Sequence, residues 1–541
     1  MTVVEELQGR FSQLKLKRQP REPNWQEIAQ LVLPSRELLF YENTKDRKAG
    51  AMIYDSYPIY ALQLLADGMF GYLVAPSIKW FMTRLADPAL AKSKAVREWL
   101  QTVDDRLYAA FSRSNFYESI AQFLLDGASI GTATMYIEED LDEDKICFST
   151  RHPLEIYVEQ NFNGQIDTVF RRFEITARQA KQKFGDEKLS GPIKEAIENA
   201  PYTMFPFIHA CFPAGDIDES VEGNPAYKSF YMEDGGDEIV SKGGYASNPY
   251  VTWRWRVDSQ EVYGRSPAYD AIWDIKGLNQ MSKTMIEAAQ LAATPPLNIP
   301  EEMKGKVRNV PKGANYFQDP QRVISPMVTG INYPIGMDQV QDKKQAVKQI
   351  FKVDFFLMLQ NAERQMTATE IMERQSEKVA VLGATIGKFG TEALSRIIER
   401  TFEIETGAGR IPPAPEEIAE AELDIEYLGP LIQAQKRLSK TQGINRSLEA
   451  MFPLLQINQE VGMIVNWHET VRLIFEANGM PESAIRSKKE VDAIMQEQKQ
   501  AQQAEQQRQA LETTGKAMPL DKKPEEGSVM SQMMGVDNGV A

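Results

Sequence analysis

The feature that most constrains this chain is a long helical run fenced by prolines at both ends. Ser266-Pro267 opens it and Thr294-Pro295-Pro296 closes it. A serine hydroxyl can accept from a free amide of the first turn, and proline at the first helical position gives up no hydrogen bond. Residues that precede proline avoid helical backbone, so the stop is as firm as the start. Between these marks Ile275, Leu278, Met281 and Met285 recur at spacings of three or four and form one apolar face. At about 1.5 Å per residue this helix would be roughly 40 Å long. A second helical run is predicted from Met337 to about Gln360, and the stretch between, Leu297 to Gly336, is prolines, glycines and short apolar segments. Two long helices joined by a compact insert predict an antiparallel pair with a small subdomain at its tip.

The rest of the chain divides around that pair. Its 541 residues suggest three or four domains. From Met1 to about Thr150 the pattern is mainly helical. Asn24 precedes an amphipathic run with Trp25, Ile28, Ala29 and Val32 that stops at Pro34, and Tyr60 to Leu73 and Ala95 to Phe111 follow. Thr132 to Glu138 alternates like a strand, and so do Ile166 to Phe173, Phe205 to Phe212 and Tyr250 to Val257. The fold class expected is α+β, predominantly helical. Thr367-Ala368-Thr369-Glu370 spells a capping box ahead of a long run whose apolar stripe includes Val379, Leu382, Ile386 and Phe389. Gly383, Gly387 and Gly390 predict a bend or close packing within it. Leu431 to Ala477 reads as further helix, and the Gln-rich tail as helix passing into disorder.

Composition excludes several kinds of chemistry. Histidines number only 3 and cysteines 2, Cys147 and Cys211 lying far apart, so neither a zinc site nor a disulfide framework is expected. Met1 to Arg10 is charged and carries no apolar core of a signal peptide, and Leu62 to Ala75 is too short and too polar to span a bilayer. The net charge of -15 argues against tight gripping of DNA phosphates. Gly127-Ala128-Ser129-Ile130-Gly131 spells a nucleophile elbow, but that motif needs strand before serine and helix after, and here the order is reversed. A helix-to-strand turn is expected instead. Gly383 to Lys388 has the wrong spacing for a phosphate loop, and Asp140 to Asp144 lacks the ligand pattern of a calcium loop. No catalytic residue, metal or cofactor is expected.

Cations mark other candidates. Lys344, Lys348 and Lys352 are four apart on the second long helix, with Lys343 beside them. Two readings stand: a solvated face whose lysines serve neighbouring carboxylates, or a positive ring when many copies line a channel. Lys304, Lys306, Arg308, Lys312 and Arg322 crowd the insert, as plain surface charge or as a docking face. Trp253 and Trp255 alternate with Arg254 and Arg256, which predicts a half-buried strand showing its aromatics to the core.

Several of these stretches, taken in order, resemble the head-to-tail connector (portal) family of short-tailed, T7-like bacteriophages. Arg21, Trp25 and Leu33-Pro34-Ser35-Arg36 are similar to its opening helix. Asp55-Ser56, Leu65-Ala66-Asp67-Gly68, Pro76 with Trp80-Phe81, Ser114-Asn115-Phe116-Tyr117 and Gly131-Thr132-Ala133 follow. Then come Tyr263-Gly264-Arg265-Ser266-Pro267 with Lys276 and Leu278-Asn279, Met366-Thr367-Ala368-Thr369-Glu370 with Gly383, and Gly429-Pro430-Leu431 with Ala434-Gln435. The likeness spans roughly Arg21 to Met480. It implies a ring of twelve subunits with wing (1–265), stem helices (266–296 and 337–358), clip (297–336), channel loop (359–366), long wing helix and connection (367–430), crown (431–490) and tail (491–541).

Under the same likeness Lys343, Lys344, Lys348, Lys352 and Arg364 become candidate DNA-facing cations, and the insert cations become candidate docking residues of the clip. The implied partners are double-stranded DNA, the terminase large subunit, scaffolding and major capsid proteins, a tail adaptor and inner core proteins, with no membrane. The implied location is the portal vertex of the virion, after synthesis in the host cytoplasm. Another non-catalytic virion protein, of tail or inner core, and a soluble α+β hydrolase remain the competing readings.

Overall fold

The computed structural model describes residues 2–36, 52–87, 90, 93–140, 143–293, 297–298, 325–326, 333–361, 383–418, 423–428, 465–467, 470–471 and, with gaps, 491–504. The chain divides into two compact units, 1–443 and 444–541. In the second unit the described residues from 491 to 504 are helical.

The first unit is built on two antiparallel sheets. Strands β2 (Thr132–Asp140), β3 (Lys145–Arg151) and β9 (Tyr250–Arg254) form a three-stranded sheet in the order β3-β2-β9. Strands β4 (Ile156–Gln160), β5 (Ile166–Thr176), β6 (Met204–Pro213), β7 (Tyr227–Glu233) and β8 (Ile239–Tyr245) form a five-stranded meander. Helices cover both faces of the meander. On one face helix α1 (Val3–Arg18) presses Leu7, Phe11 and Leu14 onto Phe170, Ile208 and Phe230. On the other, α6 (Ala177–Phe184) and α7 (Gly191–Asn199) bury Ala180 and Ile193 with Phe207 and Tyr231.

The largest core gathers around the three-stranded sheet. It joins α2 (Glu22–Leu31), α3 (Tyr57–Leu73), α4 (Lys94–Arg113) and α5 (Phe116–Ile130). Aromatic contacts dominate it: Trp80, Phe111, Phe116 and Phe148 pack with ring centroids 4.5–5.9 Å apart. Strand β1 (Phe81–Leu85) pairs with β12 (Leu423–Tyr427), which ties residues beyond the long helices back to the body. The mixture of helices with antiparallel sheets agrees with the α+β class.

The proline-fenced helix α8 runs from Pro267 to Ala293, the range expected. The insert that follows is closed at its base by a short pair, β10 (Leu297–Asn298) with β11 (Ser325–Pro326). The second long helix departs from expectation. It begins early, as α9 (Tyr333–Ile350), breaks at Phe351-Lys352, and resumes as α10 (Val353–Asn361). The cause lies in the apolar pattern. Phe351, Val353, Phe355 and Phe356 are all buried, yet positions 351 and 353 face opposite ways on one straight helix. The break, with Lys352 at φ 55, turns the chain so that all four reach the core.

Two further expectations are corrected in part. The strand expected to end at Val257 ends at Arg254, and it is buried on both faces, with Arg254 only 3% exposed beside fully buried Trp253. Of the three clustered glycines, Gly390 alone packs closely, against the Tyr427 ring, while Gly383 and Gly387 have open space. Gly390 also opens a π-helical turn, Gly390–Leu394, that leads into α11 (Ser395–Gly407).

Candidate functional site

The site begins at the root of α8. Two glycines meet there backbone to backbone. Gly131 ends α5 in the left-handed region at φ 93, and a Cβ on Gly264 would sit 2.2 Å from the Gly131 carbonyl oxygen. The joint is stitched by hydrogen bonds. The Trp255 amide donates to the Gly131 carbonyl (2.9 Å), and the Gly264 amide to Thr132 Oγ1 (2.8 Å). The Ser266 hydroxyl donates to the Ser129 carbonyl (2.6 Å) and accepts from the Tyr269 amide (3.0 Å), so it caps α8 while fastening it to α5. Ion pairs of Glu261 with Arg21 and Arg265, and of Lys276 with Glu27, surround the root.

Of the elbow-like glycines, Gly131 therefore shapes a joint, while Gly127 lies within α5 against Trp253. Ser129 is buried, and its hydroxyl donates back to the Leu125 carbonyl (2.8 Å). His209 is equally occupied: its ring nitrogens bond Tyr250 Oη (2.7 Å) and Ser229 Oγ (2.8 Å). Burial holds that imidazole neutral, with its pKa well below the usual value, and it pushes His152 down to about 4. Asp144 and Glu139 both accept from Arg410. Lys388 lies in helix, 3.6 Å from Glu392.

Helices α8 and α9 are antiparallel. Met285 lies against Gly336 near the insert, while Asp274 lies against Lys343 near the body. All residues of α8 classed as buried fall between Pro267 and Ser282, so its first half belongs to the body and its second half projects. A strap of residues 52–57 crosses the pair. Asn279 bonds the Met52 carbonyl (2.8 Å) and the Tyr54 amide (2.7 Å), and Asp55 accepts from Ser282 of α8 (3.1 Å) and Lys344 of α9 (2.9 Å).

The lysine stripe is thus not a free row. Lys343 pairs with Asp274 (2.7 Å), Lys344 with Asp55 (2.9 Å) and Lys348 with Asp354 (2.6 Å), and the last contact raises the Lys348 pKa. Lys352 makes no ion pair among the described residues and sits at the break between helices. Gln341, Asp342, Gln345 and Gln349 are exposed on α9. Arg364 and the insert cations Lys304, Lys306, Arg308, Lys312 and Arg322 lie outside the described residues, as do most of 431–490 and the Thr367–Glu370 capping box.

Arg254 was missed as a structural residue. Buried, it reaches Glu392 of the π-helical turn (2.7 Å) and the Gly164 carbonyl (2.8 Å) at the back of a polar cleft of about 420 Å³. It braces β9 against the π-helical turn and the β4–β5 turn. The alternation Trp-Arg-Trp-Arg carries no signal of this, because Glu392 is remote in sequence. Among the described residues no helix is long and apolar enough to cross a membrane, and no cluster of side chains has the make-up of a metal site.

Comparison with known proteins identifies the family. The chain is 29% identical over 470 residues to the probable portal protein of Bordetella phage BPP-1, covering 84% of each chain. It is 28% identical over 523 residues to the portal protein of Salmonella phage epsilon15, covering 93% of each. The family described as bacteriophage head to tail connecting protein matches residues 4–485, a span that holds the motifs from Arg21 to Met480, the glycine joint and both long helices. This chain belongs to the bacteriophage head to tail connecting protein family.

Proposed function

We propose that this protein is a portal subunit, a non-catalytic part that assembles as a ring of twelve at one vertex of the capsid. Double-stranded DNA enters through the ring, driven by the terminase large subunit, and leaves through it at ejection. The observation that carries this reading is the projecting antiparallel pair α8–α9, fixed at a glycine joint to a broad α+β body. Repeated around an axis, such pairs make a wall, and the bodies make the flange that holds it in a shell. The likeness to two phage portal proteins supports the same reading.

In that assembly residues 1–265 form the wing, α8 and α9 the stem, 297–336 the clip and 431–490 the crown. The ring nucleates head assembly with scaffolding and major capsid proteins, meets inner core proteins inside the head, and docks a tail adaptor outside. Lys304, Lys306, Arg308, Lys312 and Arg322 give the clip its charge toward the motor and adaptor, and Arg364 of the channel loop faces DNA. Synthesis takes place in the host cytoplasm and residence is in the virion.

The test is native mass measurement with particle imaging of the purified protein. A closed ring of twelve with an axial hole is the expected result. A stable monomer or dimer under assembly conditions overturns the reading, and an open helical polymer points to a tail or core protein instead. Neutralising the five clip cations should leave the ring intact and weaken terminase capture.

A further inference from the structure

The paired lysines determine what a passing duplex would meet. This inference rests on the portal reading. Of the lysines on the second stem helix, three are held by acids from three different elements: Asp274 on α8, Asp55 on the strap and Asp354 on α10. Two of these acids are fixed by more than the lysine. Asp55 is 11% exposed and also bonds Ser282 and the Tyr57 amide (2.9 Å), and Asp274 is carried on the rigid body-bound half of α8.

We propose that Asp55, Asp274 and Asp354 withhold Lys343, Lys344 and Lys348 from the DNA backbone, and that Lys352 is the cation this helix offers to it.

The physical argument has two parts. Exposed ion pairs are weak, worth about 0–1 kcal/mol, so the contacts themselves come and go. Neutralisation does not depend on their persistence. A lysine with an acid anchored a few ångströms away presents a dipole, whose field fades within a Debye length of about 8 Å. No counterions gather on such a pair, so DNA gains no counterion release from it. Lys352 differs. It has no acid partner among the described residues, and it occupies a left-handed backbone position that costs a side-chain-bearing residue about 1 kcal/mol relative to glycine. The break that requires this geometry also takes Lys352 off the row of the other three. The other exposed residues of α9, from Met337, Asp338 and Gln339 to Gln341, Asp342, Gln345 and Gln349, add no cation. Along this helix, a conduit of this kind holds DNA at one level and lets it slide past the rest.

Two measurements test it. In the assembled wild-type ring, brief treatment with an amine-acylating reagent and peptide mapping should modify Lys352 several-fold faster than Lys343, Lys344 or Lys348. Equal rates overturn the proposal. The second measures binding of a short duplex to the ring across a salt series, with native mass confirming the ring for each variant. Each phosphate neutralised contributes about 0.9 to the slope of log affinity against log salt. Lys352→Gln should flatten that slope, the triple variant Lys343→Gln, Lys344→Gln, Lys348→Gln should leave it unchanged, and Asp55→Asn, Asp274→Asn, Asp354→Asn together should steepen it. A triple lysine variant that flattens the slope as much as Lys352→Gln overturns the proposal, and so does a triple aspartate variant that still fails to gain DNA affinity. Both leave the portal reading standing, whereas a wild-type protein that never forms a ring removes that reading itself.

Discussion

Gly264→Ala should be among the most damaging single-methyl changes in this protein. The position is not strained: its backbone lies outside the left-handed region, so the entire cost is space. The added Cβ would stand 2.2 Å from the Gly131 carbonyl oxygen and 3.1 Å from Arg254 Cβ. Neither obstacle is the far end of a flexible side chain. Gly131 cannot yield easily, because its own φ of 93 ends α5 and its carbonyl accepts from Trp255. Relief requires parting β9 and the α8 root from the α5–β2 turn. That loosens the bonds Trp255 to Gly131, Gly264 to Thr132 and Ser266 to Ser129 together. At about 1 kcal/mol net for each bond, with overpacking strain of about 1–3 kcal/mol, the loss should reach about 4–6 kcal/mol. Gly9→Ala is the control, since nothing lies within 4 Å of that helical position and alanine there should gain about 0.5–1 kcal/mol. Urea unfolding at fixed protein concentration measures both, and hydrogen exchange at the Trp255 amide reports the joint directly. A Gly264→Ala loss below about 1 kcal/mol with Trp255 protection intact would refute the claim that this joint fixes the root of α8.

Two further outcomes follow from the same packing. A Cβ on Gly68 would stand 2.2 Å from the Phe356 ring, so Gly68→Ala should dislodge α10 at a cost of about 1–3 kcal/mol. Phe356→Ala in the same chain should remove most of that added penalty, and strict additivity in the double-mutant cycle would exclude the contact. Asp104 is nearly buried and accepts from the Thr83 amide (2.9 Å) and hydroxyl (2.8 Å), and burial pushes its carboxyl up to about 7, those bonds opposing. A folded-state pKa above the unfolded value of 3.8 means that the folded chain holds the proton more tightly, so this group's contribution falls as pH rises through that interval. Asp104→Asn keeps both acceptor contacts and should raise Tm more at pH 8 than at pH 5; an equal shift at both would remove Asp104 as the cause.

How much of this was legible depends on the range of the interaction. Helix α8 could be read to the residue, because Ser266-Pro267 and Thr294-Pro295 act on backbone within a few residues of themselves. The helix-to-strand order at Gly131 was legible for the same reason, although Gly127–Ile130 prolong α5 instead of forming the turn. The break at Phe351-Lys352 had a local signal that helical periodicity obscured: apolar residues at 351, 353, 355 and 356 cannot share one helix face. The lysine stripe shows the limit. Spacing of four places side chains on one side of a helix but does not name what lies opposite. Asp55 and Asp274 belong to other elements, so only the fold could separate a neutralised row from a charged one. Arg254 was unreadable for that reason too.

The two ends of the α8–α9 pair are held by different physics, and this bears on what a subunit of the proposed ring would need from its neighbours. At the root, backbone touches backbone and the surrounding side chains are buried. Beyond Ser282 no residue of α8 is classed as buried, and Ile286, Leu291 and Met337 stand 44%, 44% and 53% exposed. Apolar surface of that kind is worth covering at about 25 cal/mol per Å², and nothing among the described residues of one chain covers it. The body can therefore fold around its own core, while the projecting half of the pair gains most from a second copy laid alongside. A heterologous contact of this sort, repeated, closes into a ring when the rotation allows. In the proposed ring the root would set the angle at which each pair meets the next, so closure would depend on the contact between Gly131 and Gly264.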